Sequence, residues 1–405
     1  MERVIFHIDV NNAFLSWEAV YRLEQGMAGP DLRTIASAVG GDVEKRHGII
    51  LAKSMEAKKY KIQTGEPITD ALKKCPHLEI IPPTRDIYPK YSKAFIEILH
   101  KYSDKVEQVS VDEAFMDMTG MEKLFGEPVL IAEKIKSEIY DTLGFTVNVG
   151  ISSCKILAKM ASDFQKPNKI HTLFPEEIQS KMWPLPVGDL FSVGKASAKK
   201  LNSMGILTIG DLAKTNPEIL KSHLKKHGES IWKFSNGLDD SPVEPVPAES
   251  KGYGNSTTLP ADVTESAEAK KILLSLAEKV GRRLREDDAR IEVVSVGIRF
   301  FDLSNISHQT VLNAPTNITA EIHSAACTLF DEMWDGTPIR LLGIQTGRVS
   351  RGESNRQMSL FDNTDYEKLE KLDSAIDSIR KKFGSDAICR AAFMESNTKG
   401  KMSDD

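Results

Sequence analysis

Two short apolar runs in this 405-residue chain end on acid: Val4-Ile5-Phe6-His7-Ile8-Asp9 near the N-terminus, and Val109-Ser110-Val111-Asp112-Glu113, which continues into Ala114-Phe115-Met116-Asp117-Met118. Such runs read as buried strands, where an isolated carboxylate is too costly to keep ionised. Three carboxylates therefore call for a cation between them. Oxygen ligands favour a hard ion, Mg²⁺ or Mn²⁺, and such ions bridge protein carboxylates to substrate phosphates. The chemistry suggested is phosphoryl or nucleotidyl transfer. Against it stands the ordinary use of a lone Asp as a turn residue at a strand end.

The elements between the acids favour the first reading. After the first strand and a long insertion, Tyr91, Phe95, Ile98, Leu99 and Tyr102 share one helical face. A strand over 106–111, a tight turn at the acid pair and a strand over 114–118 follow. Then come a helix carrying Ile131, Ile135 and Ile139, and a strand from Phe145 to Ser152. This order, βαββαβ, is the split ferredoxin-like unit. It places the first strand beside the central hairpin, so Asp9 can meet Asp112 and Glu113. Adjacent residues of a regular strand point to opposite faces, so the acid pair must lie at a turn or distortion if both reach one site.

Three stretches, in their order and separation, carry a resemblance. They are His7-Ile8-Asp9-Val10-Asn11-Asn12-Ala13-Phe14, Ser110-Val111-Asp112-Glu113-Ala114-Phe115, and Val149-Gly150-Ile151-Ser152 followed by Ala158-Lys159-Met160-Ala161-Ser162-Asp163 and Lys166-Pro167-Asn168. Over about residues 1–350 the chain resembles the Y-family translesion DNA polymerases, the family of bacterial DNA polymerase IV and its UmuC-like relatives. The resemblance implies an α+β, multidomain right-hand polymerase that adds deoxynucleotides to a primer 3′ end in error-prone synthesis during DNA damage tolerance. Residues 1–12 and 78–166 would form a ferredoxin-like palm, 13–77 small fingers and 167–238 a helical thumb. Asp239 to Ser250, with Pro242, Pro245 and Pro247, reads as an extended linker. Beyond it, strand signals at 251–259, 291–301, 308–314 and 339–349 alternate with amphipathic helices near 264–286 and 318–334, an α+β unit that resembles the family's little finger over 251–350.

Residue by residue, the resemblance implies that Asp9 and Asp112 hold two Mg²⁺ ions, Mn²⁺ being an alternative. The backbone carbonyl of Val10 would be a further ligand, and Glu113 would contribute to the metal nearest the primer terminus. Asn11 stands in place of the second acid of the family's common Asp-x-Asp pattern, and activity is expected to survive that change. Phe14 aligns with the family's steric gate, an aromatic ring lying where a ribose 2′-hydroxyl would have to fit; pattern alone favours a core phenylalanine. Met55 and Lys58 occupy the positions where many members have Tyr and Arg three apart, and Lys58 lacks the bidentate fork of Arg. Lys159 matches a triphosphate-binding lysine of the palm, its other reading being an exposed helix lysine.

The net charge of −5 hides its distribution: from Val149 to Lys233 there are 13 Lys against 7 Asp or Glu. This basic stretch surrounds Leu185-Pro186-Val187-Gly188-Asp189-Leu190-Phe191-Ser192-Val193-Gly194-Lys195, followed by a helix from Ala196 to Met204. It resembles the helix-hairpin-helix of the family's thumb, implying DNA-phosphate contacts from Ser192, Gly194 and Lys195 through backbone N–H groups. Ser192 stands where the usual first turn glycine would be. A Walker loop is the competing reading, and it fails because Gly194-Lys195 is followed by Ala196 and the upstream glycine spacing is off by one.

Composition fits a large enzyme, with 40% apolar and 27% charged residues. No apolar run approaches membrane-spanning length and the first residues lack a leader pattern, so the protein is expected in the cytoplasm, acting as a monomer. Cys75, Cys154, Cys327 and Cys389 have no paired spacing and read as reduced packing residues. His223 and His227, one helical turn apart without an intervening glutamate, read as solvated.

In the tail, Gln357-Met358-Ser359-Leu360-Phe361 resembles the peptide by which bacterial polymerases dock on the sliding clamp, with Leu360 and Phe361 as apolar anchors and Gln357 supplying hydrogen bonds. Beyond it, Leu369, Leu372, Ile376 and Ile379 have helical spacing over 366–383. The partners implied are primer-template DNA, deoxynucleoside triphosphates and the sliding clamp. A metal-dependent nuclease or nucleotidyl cyclase could use similar carboxylates, but thumb, little finger and clamp peptide argue against either. Retention of all three acids disfavours a noncatalytic clamp-bound scaffold.

Overall fold

The computed structural model describes residues 3–42, 44, 46, 48–352 and 365–394. In chain order its strands are β1 (Ile5–Val10), β2 (Ser37–Gly40), β3 (Ile50–Lys53), β4 (Glu79–Ile81), β5 (Val106–Gln108), β6 (Glu113–Asp117), β7 (Val147–Ser152), β8 (Ile170–Thr172), β9 (Gly254–Val263), β10 (Ala289–Phe300), β11 (Asn305–Thr316) and β12 (Ile339–Arg351). They fall into two compact units, Met1–Asp42 with Gly48–Pro247, and Val43–His47 with Ala248–Asp405.

The first unit is built on the sheet β5-β6-β1-β7-β8. β1 lies between β6 and β7 and is antiparallel to both. This is the strand order that a split ferredoxin-like unit requires. β8 adds to β7 in parallel, beyond the boundary at residue 166 expected for the palm. Three residues are too few for a periodic signal, and pairing alone makes them a strand. Alternation along β1 then sorts its side chains. Phe6, Ile8 and Val10 enter a core with Phe95, Ile98, Ile135 and Ile139. Those four come from the helices Ile87–Leu99 and Pro128–Leu143, which cover that face. His7, Asp9 and, just past the strand, Asn11 are left on the face covered by the helix Lys155–Asp163.

That helix lies directly on β7 because Gly150 has no side chain. A Cβ there would sit 2.0 Å from the Ala158 carbonyl oxygen and 2.5 Å from the Ser162 nitrogen. The glycine is required for close approach of backbone to backbone, not for an unusual φ.

A three-stranded sheet, β3-β2-β4, carries the fingers around Ala38, Ile50, Ile62, Ile68 and Cys75, and β4, pairing in parallel with β2, extends them past the expected boundary at residue 77. The thumb helices Lys195–Ser203, Ile209–Lys214, Pro217–Leu224 and Lys226–Ser235 close on Leu201, Leu212, Leu220 and Ile231. The first half of the expected linker is not free chain. Val243 is buried with Ile5, Phe115 and Ala158, and Asp239 accepts from the Ile156 N–H at the start of the helix that carries Lys159.

The second unit is an antiparallel sheet, β11-β10-β12-β9, with the helices Ser266–Glu286 and Thr319–Met333 against its apolar face. β9 runs on to Val263, past the expected end at 259, through Pro260. It is an edge strand, where a residue without an N–H is tolerated. The tail helix forms over Tyr366–Phe383 and docks by its charged face, leaving Leu372, Ile379 and Phe383 exposed. Cys75 and Cys154 are buried, but Cys389 is exposed and does not serve the packing role expected of it. No described helix is long and apolar enough to cross a membrane.

Candidate active site

The acids converge through sheet register and one turn. Asp9 pairs directly with Glu113 across β1 and β6. The expected strand over 106–111 stops at Gln108, and the chain turns through 109–112, with Val109 N–H donating to the Glu113 carbonyl at 3.0 Å. The backbone N–H of Val10 donates to the carbonyl of Asp112 at 2.9 Å, tying that turn to the end of β1. Asp112 thus lies in the turn and Glu113 opens β6, the distortion needed for adjacent acids to serve one site.

Two lysines stand among them. Lys159 Nζ donates to Glu113 Oε2 at 2.6 Å and lies 3.7 Å from Asp9 Oδ2. Lys166 Nζ donates to Asp9 Oδ1 at 2.6 Å and lies 2.9 Å from Asp163. Burial by itself would lower the pKa of both ammonium groups, but the carboxylates outweigh it and raise them. Beneath Glu113, His7 is fully buried, with Nδ1 2.8 Å from Ser162 Oγ and Nε2 3.4 Å from Glu113 Oε2. Burial holds its imidazole below the ordinary range. Contact with His7, and then Lys159, brings the Glu113 carboxyl down to about 2. Asp112 goes the other way: burial first, then the charges of Asp9 and Glu113, push it up, while Ser110 Oγ, donating at 2.6 Å, opposes them.

Among the described residues no three acids form a ready-made metal cage, since Lys159 and Lys166 stand between them, but the donor types suit a hard divalent cation. Three carboxylates and the Val10 carbonyl next to Asp9 in sequence are all oxygen, and Asp112 is raised by burial and then by its acidic neighbours and is bonded by a hydroxyl instead of a lysine. A divalent ion beside it would relieve that repulsion. Asn11 is no part of the set, because its side-chain amide is used up within the protein.

Phe14 lies in the first turn of the helix Ala13–Glu24, half-buried and stacked on Tyr88 with ring centroids 4.6 Å apart. Tyr88 is held in turn by its hydroxyl donating to the buried Glu18 at 2.6 Å. Lys58 is exposed on the helix Met55–Lys59 and is bonded to none of the three acids. Near it Lys53, half-buried, has its pKa lowered by burial and then by Lys58. In the thumb, Ser192 takes φ 74°, the left-handed conformation of the glycine it replaces, at about 1–2 kcal/mol. Gly194 then precedes the helix Lys195–Ser203, whose start has no side-chain cap. Gln357, Leu360 and Phe361 lie outside the described residues.

Sequence reasoning missed Lys166 and gave His7 no role. The Lys166-Pro167-Asn168 stretch was visible as a motif, but nothing local shows that its lysine folds back onto Asp9, 157 residues away.

A right-hand assembly of palm, fingers and thumb with a further α+β unit, carrying carboxylates at a β-turn, defines a nucleotidyltransferase of polymerase type. Residues 8–163 match the impB/mucB/samB family and residues 250–360 its C-terminal domain, while 188–239 match a thumb domain described for DNA polymerase-iota. DNA polymerase IV of Clostridium acetobutylicum is 46% identical over 400 residues, covering 98% of this chain and all of that one. DNA polymerase IV of Acetivibrio thermocellus is 38% identical, covering 98% of each. DNA polymerase IV 2 of Bacillus subtilis is also 38% identical, over 97% of this chain and 95% of its own. The fold is similar to that of a Y-family DNA polymerase chimera, with a TM-score of 0.72, 23% identity, and coverage of 86% of this chain and all of that one. The chain belongs to the Y family of translesion DNA polymerases. It is a DNA-directed DNA polymerase, a nucleotidyltransferase that depends on divalent metal.

Proposed function

We propose that Asp9, Asp112, Glu113 and the Val10 carbonyl hold two Mg²⁺ ions, and that Lys159 and Lys166 receive the incoming triphosphate. The observation that carries this is the Asp9–Glu113 register with Asp112 tied to the end of β1, beside two lysines that each already hold a carboxylate. When bound, the ions would lower the pKa of the primer 3′-hydroxyl and neutralise charge on the leaving pyrophosphate. Glu113, kept ionised by His7 and Lys159, accepts positive charge at any working pH. The lysines exchange carboxylate partners for phosphate oxygens, as flexible point charges can. Phe14, braced by Tyr88, bars the space beside the sugar C2′. Lys58 adds charge from the fingers without bidentate geometry.

Ser192, Gly194 and Lys195 offer backbone N–H groups to a DNA phosphate. The peptide Gln357, Leu360 and Phe361 docks on the sliding clamp, raising local concentration at the primer. The protein works in the cytoplasm as a monomer.

Primer extension by the purified chain on an intact and an abasic template, with each divalent ion in turn, tests the reading. Extension past the lesion in Mg²⁺ is expected. Failure to extend either template with any divalent ion would overturn it.

A further inference from the structure

We propose that Asn11 is a positioning residue: through Asn148 it fixes the turn that delivers Lys166 to Asp9, so that restoring an acid at position 11 would damage this polymerase. The proposal rests on reading Lys166 as a triphosphate-binding cation.

The side-chain amides of Asn11 and Asn148 are buried and interlocked. Asn11 Oδ1 accepts from the Asn168 backbone N–H at 2.8 Å and from Thr146 Oγ1 at 3.0 Å. Asn11 Nδ2 donates to Asn148 Oδ1 at 3.1 Å. That oxygen also accepts from the Lys169 backbone N–H at 3.1 Å, while Asn148 Nδ2 donates to the carbonyls of Ser162 at 3.0 Å and Gln165 at 2.7 Å. Backbone donors at 168 and 169 fix which end of each amide is oxygen. The bonded backbone groups at 162, 165, 168 and 169 bracket Lys166, whose ammonium ends on Asp9.

An acid at position 11 could keep the bonds from Asn168 and Thr146. Its second oxygen would then face Asn148 Oδ1, acceptor against acceptor. Asn148 cannot turn over to relieve this, because its nitrogen is committed to two carbonyls and its oxygen to the Lys169 N–H. The turn must therefore shift, and Lys166 with it. Position 11 thus holds a group that donates, and the donation has a specific acceptor.

The test is a double-mutant cycle on the full chain, following single-nucleotide incorporation with melting temperatures in parallel. Asn11→Asp should raise KM for the incoming nucleotide about tenfold, the cost of one unsatisfied buried pair, with a smaller change in kcat. In a Lys166→Ala background the same substitution should change KM by less than about twofold, because its route of action is already gone. If Asn11→Asp does not fold, Asn11→Ala, which removes the donor without adding charge, takes its place in the cycle. Wild-type KM in the position-11 variant, or an undiminished loss in the Lys166→Ala background, would overturn the proposal. Wild-type KM in Lys166→Ala alone would instead remove the Lys166 reading on which it rests.

Discussion

The palm and the little finger each hold a cluster of acids against cations, and the two are built from different cations. In the palm, Asp9 and Glu113 are met by Lys159 and Lys166, and Asp112 only by a serine hydroxyl. Where the tail docks on the little finger, Glu278 and the tail acids Glu370, Asp373 and Asp377 are met by Arg285 and Arg290 of the little finger and Arg380 and Arg390 of the tail. Asp373, nearly buried, also accepts from the Thr319 N–H at 2.8 Å, capping a helix whose own Ile318 offers no acceptor. Arginine forks lock a carboxylate in one geometry, whereas a lysine is a point charge on a flexible stem that can change partner. One cluster is closed and holds the tail helix down; the other is left unbalanced, as the proposed acceptance of metal and phosphate requires.

The comparison can be broken at its strongest point first. Asp9→Ala or Glu113→Ala should lower the rate of nucleotide addition by about a thousandfold or more, since each removes charge that acts on the transition state. Both variants should remain folded at the assay temperature, Glu113→Ala with the lower melting temperature because its carboxylate stabilises the fold at neutral pH. Single-turnover extension beside a thermal melt checks both, and a variant that loses activity only because it unfolds would place these acids in the same class as Asp373.

Asp373→Ala should behave in the opposite way. Removing the acid takes one partner from Arg285 and Arg390, which keep Asp377 and Glu278, and uncaps the helix Thr319–Met333, a loss of about 2 kcal/mol for the buried bonds left unmade. Chemical denaturation should show it, and extension of a short primer should continue below the new melting point. Unchanged stability would mean that the tail helix is held by something other than this network.

A smaller effect is expected at the gate. Phe14→Ala should narrow the preference for deoxy- over ribonucleotides by about a hundredfold, a difference of specificity larger than the change in catalysis. Ratios of kcat/KM for the paired substrates measure it, and an unchanged ratio would make Phe14 a packing residue on Tyr88.

Smallest should be the gain in stability from Asp112→Asn. The folded-state pKa of Asp112 is raised above its ordinary 3.8, so the native state binds this proton more tightly than the unfolded chain does. Stability therefore falls as pH rises from that ordinary value through the raised one. Glu113, depressed to about 2 from 4.5, contributes stability that is present above 4.5 and lost as pH falls toward 2. The Asn variant should melt slightly higher than wild type at neutral pH and lose that advantage in acid; a lower melting point at neutral pH would show Asp112 to be a structural residue.

Much of this was legible in the chain because charge at the end of an apolar strand is expensive enough to demand a reason. Asp9, Asp112 and Glu113 stand out for that cause, and their meeting follows from element order. Ser192 declared its departure from glycine but not its φ, which depends on the surrounding turn. Lys166 and Asn148 were not legible: one lies past a helix end and the other inside an apolar strand, and only the approach of that helix to β7 at Gly150 brings them to Asp9 and Asn11. Likewise Val243 reads as linker, since its burial depends on an apolar patch made by Ile5, Phe115 and Ala158 from three separate elements.

The central claim is that the acids where the end of β1 meets the β5–β6 turn are the metal centre of nucleotidyl transfer, and a magnesium titration of primer extension by wild type and Asp112→Ala tests it most directly. Wild type should be silent in chelator and recover fully with added Mg²⁺, whereas the variant should stay at least about a thousandfold slower at saturating Mg²⁺ while binding primer-template normally. Extension by Asp112→Ala at the wild-type rate, at any magnesium concentration, would contradict it.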